Sequence, residues 1–307
     1  GLYVITVLAY VVLAVLLASR MIRYWSNFAA DVTNHAKGFA FLTTVAATNV
    51  LASASIVIHG WWNLAWALWW ASLVLWAALV YTTLIAVVTD RDKPGLQGGI
   101  NGSWFLLTVS TQSIAVVAGL FLTRTDSDAL AFIAIAAFAL GVVLYLIVMT
   151  MVFLRWTFHP LDPTEADPPA WIAAGAVAIT VLAGSNILLA ADQAPERIAR
   201  LAPFLEGMVI LAWRTATFWF PVMIAIRIWR HLVKRVPLRY HPSYWALIFP
   251  LGMYGAATFR MRDATGLEAL AWLPKITFAV ALAAWAAAFI GLLLQCGKSL
   301  PRHVTKP

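Results

Sequence analysis

The segment NGSWFLLTVSTQSIAV, residues 101–116, places an aromatic residue near its start and continues as an apolar run that carries hydroxyl and amide side chains. The run extends to residue 122, and about 20 apolar residues in a helix span the roughly 30 Å hydrocarbon core of a bilayer. Its polar members, including Thr108, Thr111 and Gln112, have no use toward lipid and are expected at helix contacts or along a wet interior. The segment therefore predicts a membrane helix that faces the inside of a protein.

The composition of the whole chain is that of an integral membrane protein. Of its 307 residues, 63% are hydrophobic and 11% are charged, and the mean hydropathy is +0.84. Runs long enough to cross a bilayer occur nine times, and their continuous apolarity excludes the alternating pattern of a membrane β-barrel. We predict an all-α protein with one membrane domain over residues 1–307 and spans near 2–19, 36–58, 63–88, 102–122, 129–153, 169–190, 203–226, 242–259 and 272–295.

An aromatic marker recurs at the start of alternate spans and reveals an internal repeat. Phe39, Trp104, Trp171 and Trp245 follow one another at intervals of 65, 67 and 74 residues, which is the length of a helical hairpin. The first helix of a hairpin carries polar groups such as Thr44, Thr48 and Asn49 in the span 36–58. The second helix carries bulk, as in WWNLAWALWW at 61–70, which suits a lipid-facing exterior. The repeat predicts an inner ring of slim helices and an outer ring of bulky ones.

The first span does not complete a hairpin in this repeat. Stepping back one unit from Gly38 leads to a position before residue 1, so the helix at 2–19 is an outer member without its inner partner. We therefore expect the gene product to encode one more inner helix upstream.

Lys and Arg are distributed unequally between the two sides of the predicted membrane domain. Fourteen of them fall on the side that holds the C-terminus and six on the other, which predicts a cytoplasmic C-terminus. The net charge of +8 reflects this asymmetry and an attraction to anionic lipid, so nucleic acid is not an expected partner. The single cysteine, Cys296, excludes an internal disulfide framework.

Four segments resemble a known family of membrane proteins. They are DVTNHAKGFAF (31–41), INGSWFLLTVSTQSIAV (100–116), PPAWIAAGAVAITVLAG (168–184) and WALIFPLGMYGAAT (245–258), in the order found in the tellurite-resistance and C4-dicarboxylate transporter (TDT) family. That family includes plant slow-type anion channels and fungal malate permeases. The resemblance implies ten helices in five hairpins around a central pore and a homotrimer in the plasma membrane. It also implies transport of small anions, such as malate, tellurite-like oxyanions or inorganic anions.

The resemblance also implies a gate in the last inner helix. Phe249 matches the family's pore-occluding phenylalanine, next to the kinking proline, Pro250. Pro250 cannot bond the carbonyl of Ala246 and bends the helix, and Gly252 keeps the backbone slim. An apolar ring across a narrow pore excludes water and hydrated ions. The alternative is that Phe249 packs between helices and Pro250 is an ordinary kink.

The candidate pore-lining residues are small or weakly polar and lie on the inner helices. No basic residue lies in the middle of a predicted inner span, so selection by basic loops and a hydroxyl-lined pore is expected instead of a charge ring. The candidates are Thr44, Thr48, Asn49, Thr108, Thr111, Gln112, Gly175, Thr180 and Gly252.

An enzyme is the alternative class of function. A membrane-embedded lipid-modifying enzyme would need a polar cluster at one membrane face, and the sequence has no such cluster and no G-x-S-x-G, H-E-x-x-H or P-loop motif. We therefore expect no catalytic residue, metal or cofactor.

Overall fold

The computed structural model describes residues 1–163, 168–191 and 196–299, and within these ranges the chain is helical and contains no strand. The all-α prediction is confirmed. The helices are α1 (Leu2–Arg23), α2 (Trp25–Val32), α3 (Thr43–His59), α4 (Trp62–Thr89), α5 (Leu96–Gly99), α6 (Leu106–Leu122), α7 (Asp128–Phe158), α8 (Ile172–Leu189), α9 (Glu196–Ile228), α10 (Trp245–Thr265) and α11 (Leu273–Ser299). The tail at 300–307, for which a cytoplasmic position is predicted, lies outside the described residues.

Eight helices of the described chain are long and apolar enough to cross a membrane. They correspond to eight of the nine predicted spans, with ends that differ by a few residues. The ninth, α10, is a continuous helix of 21 residues whose last turns contain Arg260, Arg262 and Asp263, and it is not among the eight. The helix extends beyond 259, where the predicted span ends. The helix continues to Thr265 because Gly266 (φ +70°) adopts the left-handed conformation that stops it.

Each inner helix begins with the same local structure. Short 3₁₀ turns at Gly38–Leu42, Gly102–Phe105, Pro168–Trp171 and Pro242–Tyr244 run directly into α3, α6, α8 and α10. The four aromatic markers of the repeat lie within these turns or immediately after them. In the second turn the Asn101 carboxamide oxygen accepts a hydrogen bond from the Ser103 N–H at 2.8 Å, which caps the turn.

The inner helices form an arc, and the bulky helices cover its outside. α3 packs on α6, α6 on α8 and α8 on α10, while α4, α7, α9 and α11 pack on their own hairpin partners. Every residue of α6 is buried, whereas most residues of α4 and α7 are exposed or only partly buried. Within the described residues, α3 and α10 at the two ends of the arc share no substantial contact. α1 buries none of its residues and contacts α2 and α3.

Candidate functional site

One face of α10 carries the predicted gate residue. Phe249, Gly252, Ala256 and Arg260 recur every three or four residues and therefore lie along one side of the helix. Gly252 and Ala256 are exposed, and no heavy atom lies within 4 Å of a Cβ built at Gly252. This side of α10 is open, and we call it the inner face of α10.

Two other sides of α10 contact outer helices. Trp213 Nε1 of α9 donates a hydrogen bond of 2.9 Å to Thr258 Oγ1, behind the inner face. Gly255 lies against Thr277 of α11, where an added Cβ would approach Thr277 Oγ1 to 2.6 Å. The inner face therefore points away from the outer layer and toward the inside of the arc.

Phe249 lies beside a glycine of the neighbouring inner helix. A Cβ built at Gly175 of α8 would lie 2.8 Å from Phe249 Cε1 and 2.9 Å from Pro250 Cγ. Only a residue without a side chain leaves room for the ring and the proline at this height. The structure thus brings together three of the predicted residues, Gly175, Phe249 and Pro250, and Gly252 follows on the open surface.

A polar contact joins the same two helices farther along. Arg260 Nε donates to Asn186 Oδ1 at 3.0 Å, and Asn186 Nδ2 donates to the Val116 carbonyl of α6 at 3.1 Å. Arg260 follows Phe249 by eleven residues, and Asn186 follows Gly175 by eleven. Eleven residues complete about three helical turns, so residues at this spacing lie on the same side of a helix. The same sides of α8 and α10 therefore contact each other at two heights, once at Phe249 and once at Arg260.

Three predicted pore-lining residues bond to other helices. Asn49 Nδ2 donates to Ser113 Oγ of α6 at 2.9 Å. Thr111 Oγ1 accepts from Trp76 Nε1 of α4 at 2.9 Å, and Gln112 Nε2 donates to the Phe138 carbonyl of α7 at 3.0 Å. In this structure these side chains connect helices and are buried.

The other predicted hydroxyls have mainly local partners. Thr44 and Thr180 donate to carbonyls of their own turns, at 2.8 Å and 3.0 Å. Thr48 also donates within α3 at 2.8 Å and lies 2.9 Å from the Tyr10 hydroxyl of α1. Thr108 is buried, and its Oγ1 has no hydrogen-bond partner among the described residues.

A basic cavity of about 880 Å³ lies where the inner helices begin. Its lining includes five basic side chains and parts of all four 3₁₀ turns, and none of its described lining residues carries a carboxylate. Arg155 is 8% exposed, and its Nε donates to the Gln97 carbonyl at 3.2 Å. The five basic residues are Lys37, Arg155, Arg227, Arg230 and Arg239.

The helix ends add to the positive character of this cavity. The 3₁₀ turns that lead into α3, α6, α8 and α10 all contribute to its lining, and the start of a helix carries a partial positive charge and unpaired N–H groups. Basic side chains and helix N-termini together favour an anion in the cavity.

Sequence reasoning identified the Phe249 region but not the contact between Arg260 and Asn186. The predicted span ends at 259, which leaves Arg260 outside it. Two signals were available: Gly266 as the stop of α10, and the eleven-residue spacing that puts Arg260 on the side of Phe249.

Comparisons with known proteins agree with this architecture. A family model described as voltage-dependent anion channel, SLAC1, matches residues 1–293. An uncharacterized membrane protein of Mycobacterium tuberculosis is 38% identical over 159 residues, covering 52% of this chain and 80% of that protein. An uncharacterized transporter of Methanocaldococcus jannaschii is 26% identical over 268 residues, covering 84% of this chain and 73% of that transporter. No solved structure matches.

A fungal relative has a more specific name. The sulfite efflux pump of Trichophyton rubrum is 23% identical over 227 residues, covering 69% of this chain and 58% of that protein. The names of the family and the relatives point to channels and transporters rather than enzymes. The match along nearly the whole chain also confirms the resemblance to the TDT family. The chain therefore belongs to the SLAC1 family of voltage-dependent anion channels.

Proposed function

We propose that the protein conducts small anions along the inside of the arc formed by α3, α6, α8 and α10. The basic cavity is the observation that carries this proposal, since five cationic side chains and the 3₁₀ turns that lead into four inner helices surround a space without a described carboxylate. Such a cavity raises the local concentration of anions and repels cations. A conduit between parallel hairpins fits a gated pore better than alternating access, which in many carriers uses inverted repeats.

We propose Phe249 as the gate of this conduit, with Pro250 as the kink that positions it. The ring lies on the inner face of α10, about 7 Å beyond Tyr244 at the edge of the cavity at 1.5 Å per residue. All side chains of α6 are buried, so the conformation described here has no open lumen along that helix. An apolar ring held against Gly175 in such a narrow place would exclude water and stop hydrated ions.

The substrate class follows from weak, permissive selection. The residues near the gate are apolar or small, so anions that lose their water easily pass most readily. The candidates are C4-dicarboxylates such as malate, tellurite-like oxyanions and inorganic anions, and the name of the fungal relative adds sulfite.

Orientation and assembly are further parts of this proposal. The basic cavity lies on the side with most Lys and Arg, which we assign to the cytoplasm of a plasma-membrane protein. We propose a homotrimer in contact with membrane lipid, with a separate conduit in each subunit. Cross-linking in membranes should yield a trimer and no larger species.

Flux through proteoliposomes tests the function and the gate together. The purified protein should pass labelled nitrate, chloride, malate or sulfite, and Phe249→Ala should increase the flux about tenfold, equivalent to removing ~1.4 kcal/mol from the barrier. Phe278→Ala, at an exposed position of α11, is the matched control and should leave flux unchanged. No anion flux in any vesicle would overturn the transport function, and equal flux in wild type and Phe249→Ala would overturn the gate alone.

A further inference from the structure

Arg260 and Arg262 lie two residues apart on α10 but have different surroundings. Arg262 Nη2 is 2.8 Å from Asp263 Oδ1, and its Nε is 4.0 Å from Glu268 Oε1, so carboxylates balance its charge. Arg260 has no carboxylate within ion-pair distance among the described residues, and its Nε bonds a neutral amide, that of Asn186. The positive charge of Arg260 is therefore not compensated by a direct ion pair.

The Asn186 side chain fixes the position of this guanidinium. Asn186 is 2% exposed, and its Nδ2 is committed to the Val116 carbonyl, so its oxygen must point toward α10. A bond at Nε leaves the two terminal nitrogens of Arg260 as donors. Neither of them is among the buried atoms that lack a partner, so both reach accessible space.

The location of Arg260 relates it to the conduit. It lies on the inner face of α10 and about 16 Å beyond Phe249 at 1.5 Å per residue, on the side away from the basic cavity. An anion that passes Phe249 would therefore meet Arg260 next, or would meet it first when it enters from the opposite side.

We propose that Arg260, oriented by Asn186, is an anion-binding site at the end of the conduit opposite the basic cavity, and that it binds small oxyanions of the sulfite and nitrate type. This inference rests on the proposed transport function. A guanidinium presents parallel N–H donors that match two oxygens of a planar or pyramidal oxyanion. Chloride offers a single acceptor, so the site should favour oxyanions over chloride.

Substitution of the arginine tests the site through concentration dependence. Arg260→Gln should raise the half-saturating concentration of sulfite and nitrate about tenfold, the factor expected when ~1.4 kcal/mol of binding is lost. The change for chloride should be smaller. Arg260→Lys retains the charge without the planar donors and should fall between wild type and Arg260→Gln for oxyanions. Arg262→Gln is the matched control and should leave the half-saturating concentrations unchanged, because its charge is already paired.

Asn186→Asp tests the same site without altering the arginine. The carboxylate keeps an acceptor for Nε and compensates the charge of the guanidinium, although it loses the hydrogen bond to the Val116 carbonyl, so oxyanion affinity should fall as in Arg260→Gln. Because this variant preserves the size of the side chain, a loss of oxyanion affinity in a well-folded protein separates a charge effect from misfolding.

Chemical modification gives a second measurement of the charge. In a Cys296→Ser background, Arg260→Cys should react with a membrane-impermeant methanethiosulfonate reagent applied from the side opposite the basic cavity. Attachment of an ammonium group should restore part of the oxyanion affinity, and attachment of a sulfonate should not. Normal wild-type flux with unchanged oxyanion affinity in Arg260→Gln and Asn186→Asp would overturn the Arg260 site, whereas no flux in wild type would overturn the transport function.

Discussion

The two ends of the inner arc are joined differently. Between α3 and α6 the contact is a buried hydrogen bond, in which Asn49 reaches Ser113 and also accepts from Ser72 Oγ of α4 at 2.9 Å. Between α8 and α10 the contact consists of the Phe249 ring on Gly175 and the half-buried Arg260 on Asn186. The first contact is polar and inaccessible, and the second is partly open.

This difference separates the static part of the arc from the part that can move. A buried carboxamide with two hydrogen-bond partners cannot shift without leaving polar groups unpaired, which costs free energy in a membrane interior. An aromatic ring on a glycine can move with a loss of packing only. We therefore expect gating to occur between α8 and α10 while α3 and α6 remain fixed.

The largest effect is expected from Gly175→Ala. The new Cβ would lie 2.8 Å from Phe249 Cε1, too close for the ring to keep its position, so anion flux should rise about tenfold as in Phe249→Ala. Proteoliposome flux provides the measurement. In a Phe249→Ala background the same substitution should change flux less than twofold, because the ring is already absent.

Gly252→Ala is the matched control for Gly175→Ala. Both glycines lie in inner helices, but an added Cβ at Gly252 meets no atom within 4 Å. Flux should change by less than twofold because the Phe249 ring keeps its position, and the free energy of unfolding should rise by up to ~1 kcal/mol because alanine favours a helix over glycine. Equal effects of the two substitutions would show that the position of the Phe249 ring is not what limits flux.

The fold was largely predictable because hydropathy and the repeat act over whole helices. The aromatic markers recur at the starts of the inner helices, and each lies in the 3₁₀ turn before its helix or directly after that turn. They are Phe39, Trp104, Trp171 and Trp245. The direction of individual polar side chains was less predictable. Thr111 and Gln112 are expected at helix contacts or along a wet interior, and only the packed structure reveals their partners, Trp76 and the Phe138 carbonyl on outer helices.

A smaller effect, on stability, is expected at the α3–α6 contact. Asn49→Ala removes two interhelical hydrogen bonds and leaves two buried hydroxyls with fewer partners, so the free energy of unfolding should fall by about 1–2 kcal/mol. Thermal unfolding in detergent measures this loss, and flux through the folded fraction should be unchanged. Thr44→Ala, whose hydroxyl bonds within its own helix, should cost less than ~0.5 kcal/mol. A flux change in Asn49→Ala as large as that in Gly175→Ala would contradict the division between a fixed and a movable contact.

The smallest effect concerns the residues before α3. There an ion-pair cluster connects α1 and α2 to the segment that leads into α3. Asp31 of α2 bonds Lys37 Nζ at 2.9 Å and also pairs with Arg20 of α1. The Lys37 hydrogen bond, assisted by Arg20 and opposed by partial burial, holds the pKa of Asp31 below its ordinary value of 3.8. Since the carboxyl is less acidic in the unfolded chain, its contribution to stability is complete above that value and is lost as the pH falls through the lowered pKa. The pairs are solvent-accessible, so the contribution should stay below ~1 kcal/mol.

Asp31→Asn removes the contribution of the Asp31 carboxylate to stability. The same substitution also tests whether this carboxylate lowers the positive charge of the basic cavity. The variant should lose the small drop in thermal stability between about pH 5 and pH 2 that the wild-type carboxyl produces. It should also leave Lys37, which lines the cavity, with its full charge, so anion flux at low ionic strength should rise slightly and the increase should disappear in high salt. A stability loss in Asp31→Asn that matches Asn49→Ala would mean that the surface ion pairs, and not the buried amide, hold α3 in place. In that case the fixed end of the arc would depend on pH and salt, and the contrast with the α8–α10 contact would hold only near neutral pH.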